Sequence, residues 1–323
     1  MIESLFRVAG LQSKVSQAGR LADRLLDKLD GIEGARVFKI RGVRELIGSL
    51  DSQAAIGRGQ ATDRIWNGGE FARHENLFIE PRDTPKLTTS AVFDFLLRNE
   101  FFRAGLELPC DACRLDSWLP LRQIDDLWVC EFCGQRNLTS LHLRSRGDWK
   151  YRKSGLFAKD NNQEGAIPVL LGTLVLKRVL EHYQFMHVIS LELKDTEGSC
   201  ELDFVVVRRH QEEIEWGLGE AKDKGGRIDA TDIQNMKRIA GKLVAIGVTP
   251  YLTFVKTADS FLPEEIELFR ALQREGILPI LITNKEIEPY HPYWEDDNER
   301  KLPHKYANSM HEMALNSEYR YLQ

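Results

Sequence analysis

Residues 200–222 read Cys-Glu-Leu-Asp-Phe-Val-Val-Val-Arg-Arg-His-Gln-Glu-Glu-Ile-Glu-Trp-Gly-Leu-Gly-Glu-Ala-Lys. Two β-rich runs, Leu202–Arg208 and Ile214–Ala221, flank a polar gap, the pattern of a β-hairpin. With the turn centred on Gln211 and Glu212, antiparallel pairing sets Asp203 directly opposite Glu220. Cross-strand neighbours have Cβ atoms about 5 Å apart, so two carboxylates meet on adjacent strands. Lys222 lies two residues beyond Glu220, and the period of two points it to the same face. The flanking Val205-Val206-Val207 and Trp216-Gly217-Leu218 read as central, buried strand. Unpaired charges are costly there. A divalent cation such as Mg²⁺ or Mn²⁺ offsets that cost, and Mg²⁺ takes oxygen ligands from one or two carboxylates. A surface ion pair worth well under about 1 kcal/mol is the bland alternative.

The surroundings of the hairpin follow from periodicity. Glu164–Tyr183 reads as a helix, with Pro168 in its first turn, and Phe185–Leu193 as a strand. Beyond the hairpin come a helix over Thr231–Ile246, a strand over Tyr251–Val255, a helix over Pro263–Glu275 and a strand over Ile277–Ile282. From Glu164 the expected order is therefore helix, three strands, helix, strand, helix, strand.

At these residues the chain resembles the PD-(D/E)xK, or restriction-endonuclease-like, nuclease superfamily. The pattern is Asp203, sixteen intervening residues, then Glu220-Ala221-Lys222, with Leu202 where the name-giving proline would stand. The resemblance covers roughly residues 161–284 and implies an α/β (α+β) fold whose core runs helix, three strands, helix, strand. It implies a metal-dependent DNA endonuclease in which Asp203, Glu220 and the carbonyl of Ala221 bind Mg²⁺ (or Mn²⁺) and Lys222 serves the attacking water. Many members add a helix-borne glutamate to the site, and Glu164 is the matching position; an acid complementing the helix dipole accounts for it equally well. Glu201, sharing the face of Asp203 by alternation, is a fallback ligand, and Gln234 matches a glutamine that some relatives place near the site. Cys200 reads as a small buried hydrophobe.

Upstream, Cys110-Asp-Ala-Cys113 and Cys130-Glu-Phe-Cys133-Gly134 are separated by sixteen residues, the spacing of a four-cysteine zinc site. Four thiolates close the coordination sphere, so Cys110, Cys113, Cys130 and Cys133 are expected to hold a structural Zn²⁺ in a zinc ribbon. Between Arg136 and Lys159 stand seven Lys or Arg residues against one acid, Asp148, with Trp149, Tyr151 and Phe157 interleaved. Arg144, Arg146, Lys150, Arg152 and Lys153 suit a phosphate-and-stacking surface for DNA. A solvated strand edge whose charges prevent aggregation suits them too.

The 323 residues are 42% hydrophobic and 29% charged with net charge −5, ordinary for a globular chain of two or three domains. No apolar run reaches a membrane span and Met1–Arg20 lacks a signal-peptide core, so a cytoplasmic protein with no membrane partner is expected. The boundaries expected are a mainly helical N-terminal region (1–107), the zinc ribbon (108–137), a basic connecting segment (138–160), the nuclease-like domain (161–284) and a polar tail (285–323). Within the first, helices are expected over 11–30, Val43–Leu50, Ala54–Ile65 and 88–104, and a short strand over Val37–Ile40. Residues 1–87 carry no readable function. Three classes fit the whole: a gated nuclease of defence or repair, a non-catalytic nucleic-acid-binding module, and an assembly or sensor subunit contacting partner proteins or a second copy of itself.

Overall fold

The computed structural model describes residues 2–74, 86–143, 149–158, 165–177, 184–210, 212–293 and 301–323. The chain divides into two compact units, one of residues 1–39, 76–82 and 164–323, the other of 40–75 and 83–163.

The first unit is built on a mixed six-stranded sheet among the described residues. Its strands, in the order they lie side by side, are β1 (Gln12–Val15), β2 (Phe185–Lys194), β3 (Ser199–His210), β4 (Glu213–Lys222), β5 (Pro250–Lys256) and β6 (Ile280–Ile282). The first four neighbours pair antiparallel and the last three parallel. Parallel neighbours need a crossover, and here the crossovers are α4 (Ala230–Val244) and α5 (Pro263–Arg274). Three further helices precede the hairpin in the chain: α1 (Ile2–Val8), α2 (Gln17–Lys28) and α3 (Ala166–Lys177).

Every residue of α3 from Ala166 to Leu176 is buried, as a helix apolar all round must be. It approaches the sheet through Gly172, where a Cβ would stand 2.6 Å from Val255 Cγ2 and 2.9 Å from the Phe204 ring. One continuous core joins Leu191, Val205, Val207 and Leu218 of the sheet to Ile233, Met236 and Ile239 of α4, Phe269 of α5, and Ile2 and Phe6 of α1.

The order of elements from α3 to β6 is the one expected from periodicity, but the ends of the chain are not a separate region and a tail. Residues 12–15 add β1 to the edge of the sheet, which four polar-alternating residues do not announce. Val37 belongs to a 3-10 helix, Ile32–Lys39, rather than a strand. At the other end, Met310–Ser317 forms α6, with Met310, Met313 and Ala314 buried. Its backbone enters the hairpin's own hydrogen bonding. Arg208, buried in β3, donates from Nε to Glu215 (2.6 Å), from Nη1 to the Leu176 carbonyl (2.8 Å) and from Nη2 to the Asn308 carbonyl (3.2 Å). Glu215 accepts the Met310 N–H at 2.7 Å with its other oxygen. Residues 285–323 read as polar because the partners of that network are backbone groups, invisible in composition.

The second unit carries helices over Arg41–Ser49, Arg58–Trp66 and Thr89–Arg98 and an antiparallel sheet in the order Ala55–Gly57, Lys150–Lys153, Phe102–Pro109, Asp116–Pro120. The phenylalanine-rich helix stops at Arg98, six residues before its expected end at 104. Asn99 leaves the helix, Glu100 takes a left-handed φ of 57°, and Phe102 opens a strand against Lys153. A two-stranded ribbon, Leu127–Val129 with Arg136–Leu138, carries the second cysteine pair between its arms.

Candidate functional site

The β3–β4 ladder pairs His210 with Glu213, Val207 with Trp216 and Phe204 with Gly219. This is the register that sets Asp203 beside Glu220. Phe204 holds it in place, because its ring lies over Gly219 so closely that a Cβ there would be 2.0 Å from Phe204 Cζ. Beyond this pair the strands part. The Asp203 carboxylate takes over as acceptor and receives the Ala221 N–H at 2.7 Å.

The ladder on the other side of β3 is interrupted at the same residue. Pairing with β2 passes from Ile189↔Phe204 to Leu191↔Leu202, stepping over Ser190 and Asp203. Ser190 is buried and carries a left-handed φ of 48°. Leu202 and Val205 pack in one core although three apart, as do Val188 and Leu191 in β2. Strict alternation therefore slips by one residue in both strands while the register is unchanged, because Ser190 and Asp203 drop out of the ladder together. Cys200 packs with Leu202 in that core. Glu201, between them, is exposed, and its charge adds to the rise of the Asp203 carboxyl.

Glu220 is 7% exposed, and its Oε1 is bonded to Lys222 Nζ. Burial pushes the Glu220 carboxyl up to about 8, with the Asp203 charge adding to the rise. Burial likewise raises Asp203 to about 6 against the pull of the Ala221 N–H and Lys222. For Lys222 burial opposes the charge, but Glu220 and Asp232 more than offset it and hold the ammonium above its usual range. Asp232, in the first turn of α4, stands 3.4 Å from Lys222 Nζ. The sequence carries one signal for it, Asp229-x-x-Asp232 ahead of an apolar-periodic helix, which marks a helix cap and not a site. Gln234, on the same helix, is exposed. Glu164 lies outside the described residues.

A buried carboxylate and a half-buried one, both with raised protonation, and one adjacent ammonium form a hard-oxygen donor set that fits Mg²⁺ or Mn²⁺. The frame behind them is rigid. Lys256, paired with Lys222 in the β4–β5 ladder, is buried on Glu265 at 2.8 and 2.9 Å. Glu265 also accepts the backbone N–H groups of Ile228 (2.9 Å) and Leu262 (2.7 Å). The segment entering α4 is thereby fixed.

In the second unit the four cysteine sulfurs lie within 4.8 Å of one another. Cys110 Sγ is 3.6 Å from Cys133 Sγ and Cys113 Sγ is 3.6 Å from Cys130 Sγ. Tetrahedral Zn²⁺ with bonds of about 2.3 Å places sulfurs about 3.8 Å apart, so the cluster fits zinc. The two knuckles repeat each other: Arg114 N–H donates to the Cys110 carbonyl and Gly134 N–H to the Cys130 carbonyl, both at 3.0 Å. Both residues are left-handed, with φ of 63° and 73°. Ser117 donates to Cys130 Sγ at 3.4 Å and holds its thiol down to about 6. Asn137 donates to Cys110 Sγ at 3.7 Å. The outer face of the ribbon bares Leu127, Val129 and Leu138, with Phe132 at the knuckle 59% exposed.

The basic segment is only partly gathered. Lys153 is buried and donates to the Ile47 carbonyl at 3.2 Å, so it is a structural group and not a phosphate contact. Strand alternation explains it, since Lys153 shares the inner face with Tyr151. Arg152 lies over the Trp118 ring at 4.8 Å, and Lys150 is 3.9 Å from Glu107. Arg144 and Arg146 lie outside the described residues.

No family model matches the chain, and no curated protein does. Among solved structures, protein VC1899 from Vibrio cholerae is similar over 89% of this chain and 58% of its own, at 11% identity and a TM-score of 0.36. Can2 from Sulfobacillus thermosulfidooxidans, solved in complex with cyclic tetra-adenylate, is similar over 88% of this chain and 57% of its own, at 10% identity and a TM-score of 0.32. The chain thus spans less than two thirds of either structure. Likeness at this level fixes no activity, ligand or partner. No helix among the described residues is long and apolar enough to cross a membrane.

Proposed function

We propose that the first unit is a restriction-endonuclease-like domain of the PD-(D/E)xK type, and that the chain is a divalent-metal-dependent nuclease hydrolysing phosphodiester bonds in DNA. The observation that carries this reading is the coincidence at Asp203. The ladder with β4 ends just before it, the ladder with β2 skips it opposite a residue with left-handed backbone, and Glu220 and Lys222 stand at the opening. Distortion of a central strand costs about 1–3 kcal/mol and persists where function needs it.

In this reading Asp203 and Glu220 hold Mg²⁺ or Mn²⁺, with the Ala221 carbonyl as a further ligand. The cation supplies Lewis-acid stabilisation of the phosphoryl oxygens. Lys222 orients the attacking water and offsets charge developing on phosphorus. Zn²⁺ on Cys110, Cys113, Cys130 and Cys133 is structural, and Lys150 and Arg152 are the described basic residues that remain to meet DNA. The test is cleavage of single-stranded, duplex and branched DNA with Mg²⁺ and with EDTA. Metal-dependent cutting that Asp203→Asn abolishes supports the reading, and cutting by that variant at the wild-type rate refutes it.

The ribbon's bared Leu127, Val129, Leu138 and Phe132 favour a second, compatible role as an assembly subunit that meets partner proteins of a defence or repair complex, or a second copy of itself. Light scattering of the purified chain, and of Val129→Glu, decides whether self-association uses that face.

A further inference from the structure

We infer that Asp232 is a positioning residue for Lys222, holding its ammonium over the site when the Glu220 carboxylate is engaged by the metal. The inference rests on the nuclease reading above. Lys222 Nζ has two carboxylate neighbours, Glu220 Oε1 and, at 3.4 Å, Asp232 Oδ2. The first is needed as a metal ligand, and lone pairs given to a cation are withdrawn from the ammonium. A four-carbon stem left with no partner on that side is free to turn to solvent, since lysine carries about 2 kcal/mol of rotamer entropy. The ion-pair partner that remains is Asp232.

Asp232 is itself fixed. Its Oδ2 accepts the Asp229 N–H at 3.0 Å while its own N–H donates to Asp229 Oδ1 at 3.0 Å, a reciprocal capping box at the start of α4. Ile228, one residue upstream, is held by its N–H on buried Glu265. The carboxylate facing Lys222 is therefore tied to the helix start and, through Glu265 and Lys256, to the strand beside β4. An aspartate at the third helical position is short for a capping box, where glutamate or glutamine is usual. The short side chain keeps the oxygen close to the helix end and within reach of Lys222 Nζ.

Two variants separate positioning from capping. Asp232→Asn keeps an oxygen for the Asp229 N–H and removes the charge, whereas Asp232→Glu keeps both. On a DNA that the wild type cuts, Asp232→Asn should lower kcat by about 10- to 100-fold, the cost of losing an orienting partner. KM, the Mn²⁺ midpoint and Tm should be unchanged, and Asp232→Glu should recover most of the rate. Wild-type kcat in Asp232→Asn, or a loss matched by weaker Mn²⁺ binding or a lower Tm, overturns the inference. A second readout needs no cleavage. In Mg²⁺-loaded protein the ¹⁵Nζ signal of Lys222 should be that of a held ammonium, and it should broaden or vanish in Asp232→Asn. The same signal in both proteins overturns the inference whatever the activity. If the wild type cuts no DNA, the nuclease reading falls, and the ammonium signal still decides the role of Asp232.

Discussion

The four-cysteine cluster and the carboxylate pair are both places where the chain concentrates anionic donors, and they are made in opposite ways. Each cysteine knuckle is complete within five residues, its sulfurs turned inward by one left-handed residue and by short hydrogen bonds to its own backbone. The carboxylate pair is made by register. Asp203 and Glu220 meet only because the ladder, the Phe204–Gly219 contact and the slip at Ser190 all agree. Soft sulfur in a closed tetrahedron suits a metal that holds structure, and hard oxygen at a parting of strands suits one that meets substrate.

The sharpest way to separate the two is to take the metals away one at a time. Structural zinc contributes apparent binding free energies of about 10–16 kcal/mol to small domains. A strong zinc chelator, or Cys130→Ser, should therefore unfold the ribbon, seen as loss of slow amide exchange over residues 102–138. Protection in β3 and β4 should persist. Elemental analysis should give about one zinc per chain. At the other site Asp203→Asn should reduce cleavage by about a thousandfold with little change in stability, and Lys222→Ala by about a hundredfold with metal affinity kept, both read in single-turnover assays.

These two sites were not equally legible. The cysteine spacing needs no long-range information, so the cluster is visible in a string of letters. The hairpin register was legible too, because a short polar turn between two apolar runs leaves one alignment. What the letters hid is the slip at Ser190 and Asp203. It depends on two strands changing phase together. Asp232 was hidden for a related reason: its contact with Lys222 crosses from helix to strand. The layout of the units was least legible, since β1 and α6 join the sheet through backbone groups that all residues share.

Two smaller effects sharpen the contrast. Glu215→Gln leaves Arg208 buried without its counter-charge, and breaking such a pair costs about 3–5 kcal/mol, measurable as a lower urea midpoint. The carboxylate pair should make the metal-free protein less stable as pH rises. Asp203 and Glu220 sit at about 6 and about 8 in the folded chain against 3.8 and 4.5 in the open one. The folded state therefore holds protons that the unfolded state has released, and stability falls from about pH 4 to about pH 8. Added Mn²⁺ should raise Tm more at the alkaline end of that range, and Glu220→Gln should flatten the profile. The smallest effect belongs to the ribbon: Arg114→Gly relieves a left-handed φ of 63° and should add about 1 kcal/mol in zinc-loaded protein.

The ladder that closes His210 against Glu213 also sets a rule for insertions and deletions. Only two residues join the arms, so a change of one residue cannot be absorbed there without sliding one strand past the other. A slide by one place carries Glu220 and Lys222 together to the far side of the sheet, under α3, where no water reaches. A slide by two returns them to the near side but away from Asp203. Length changes in this turn are thus filtered by parity first and by distance second, and a lineage can lengthen the hairpin only by symmetric additions to both arms.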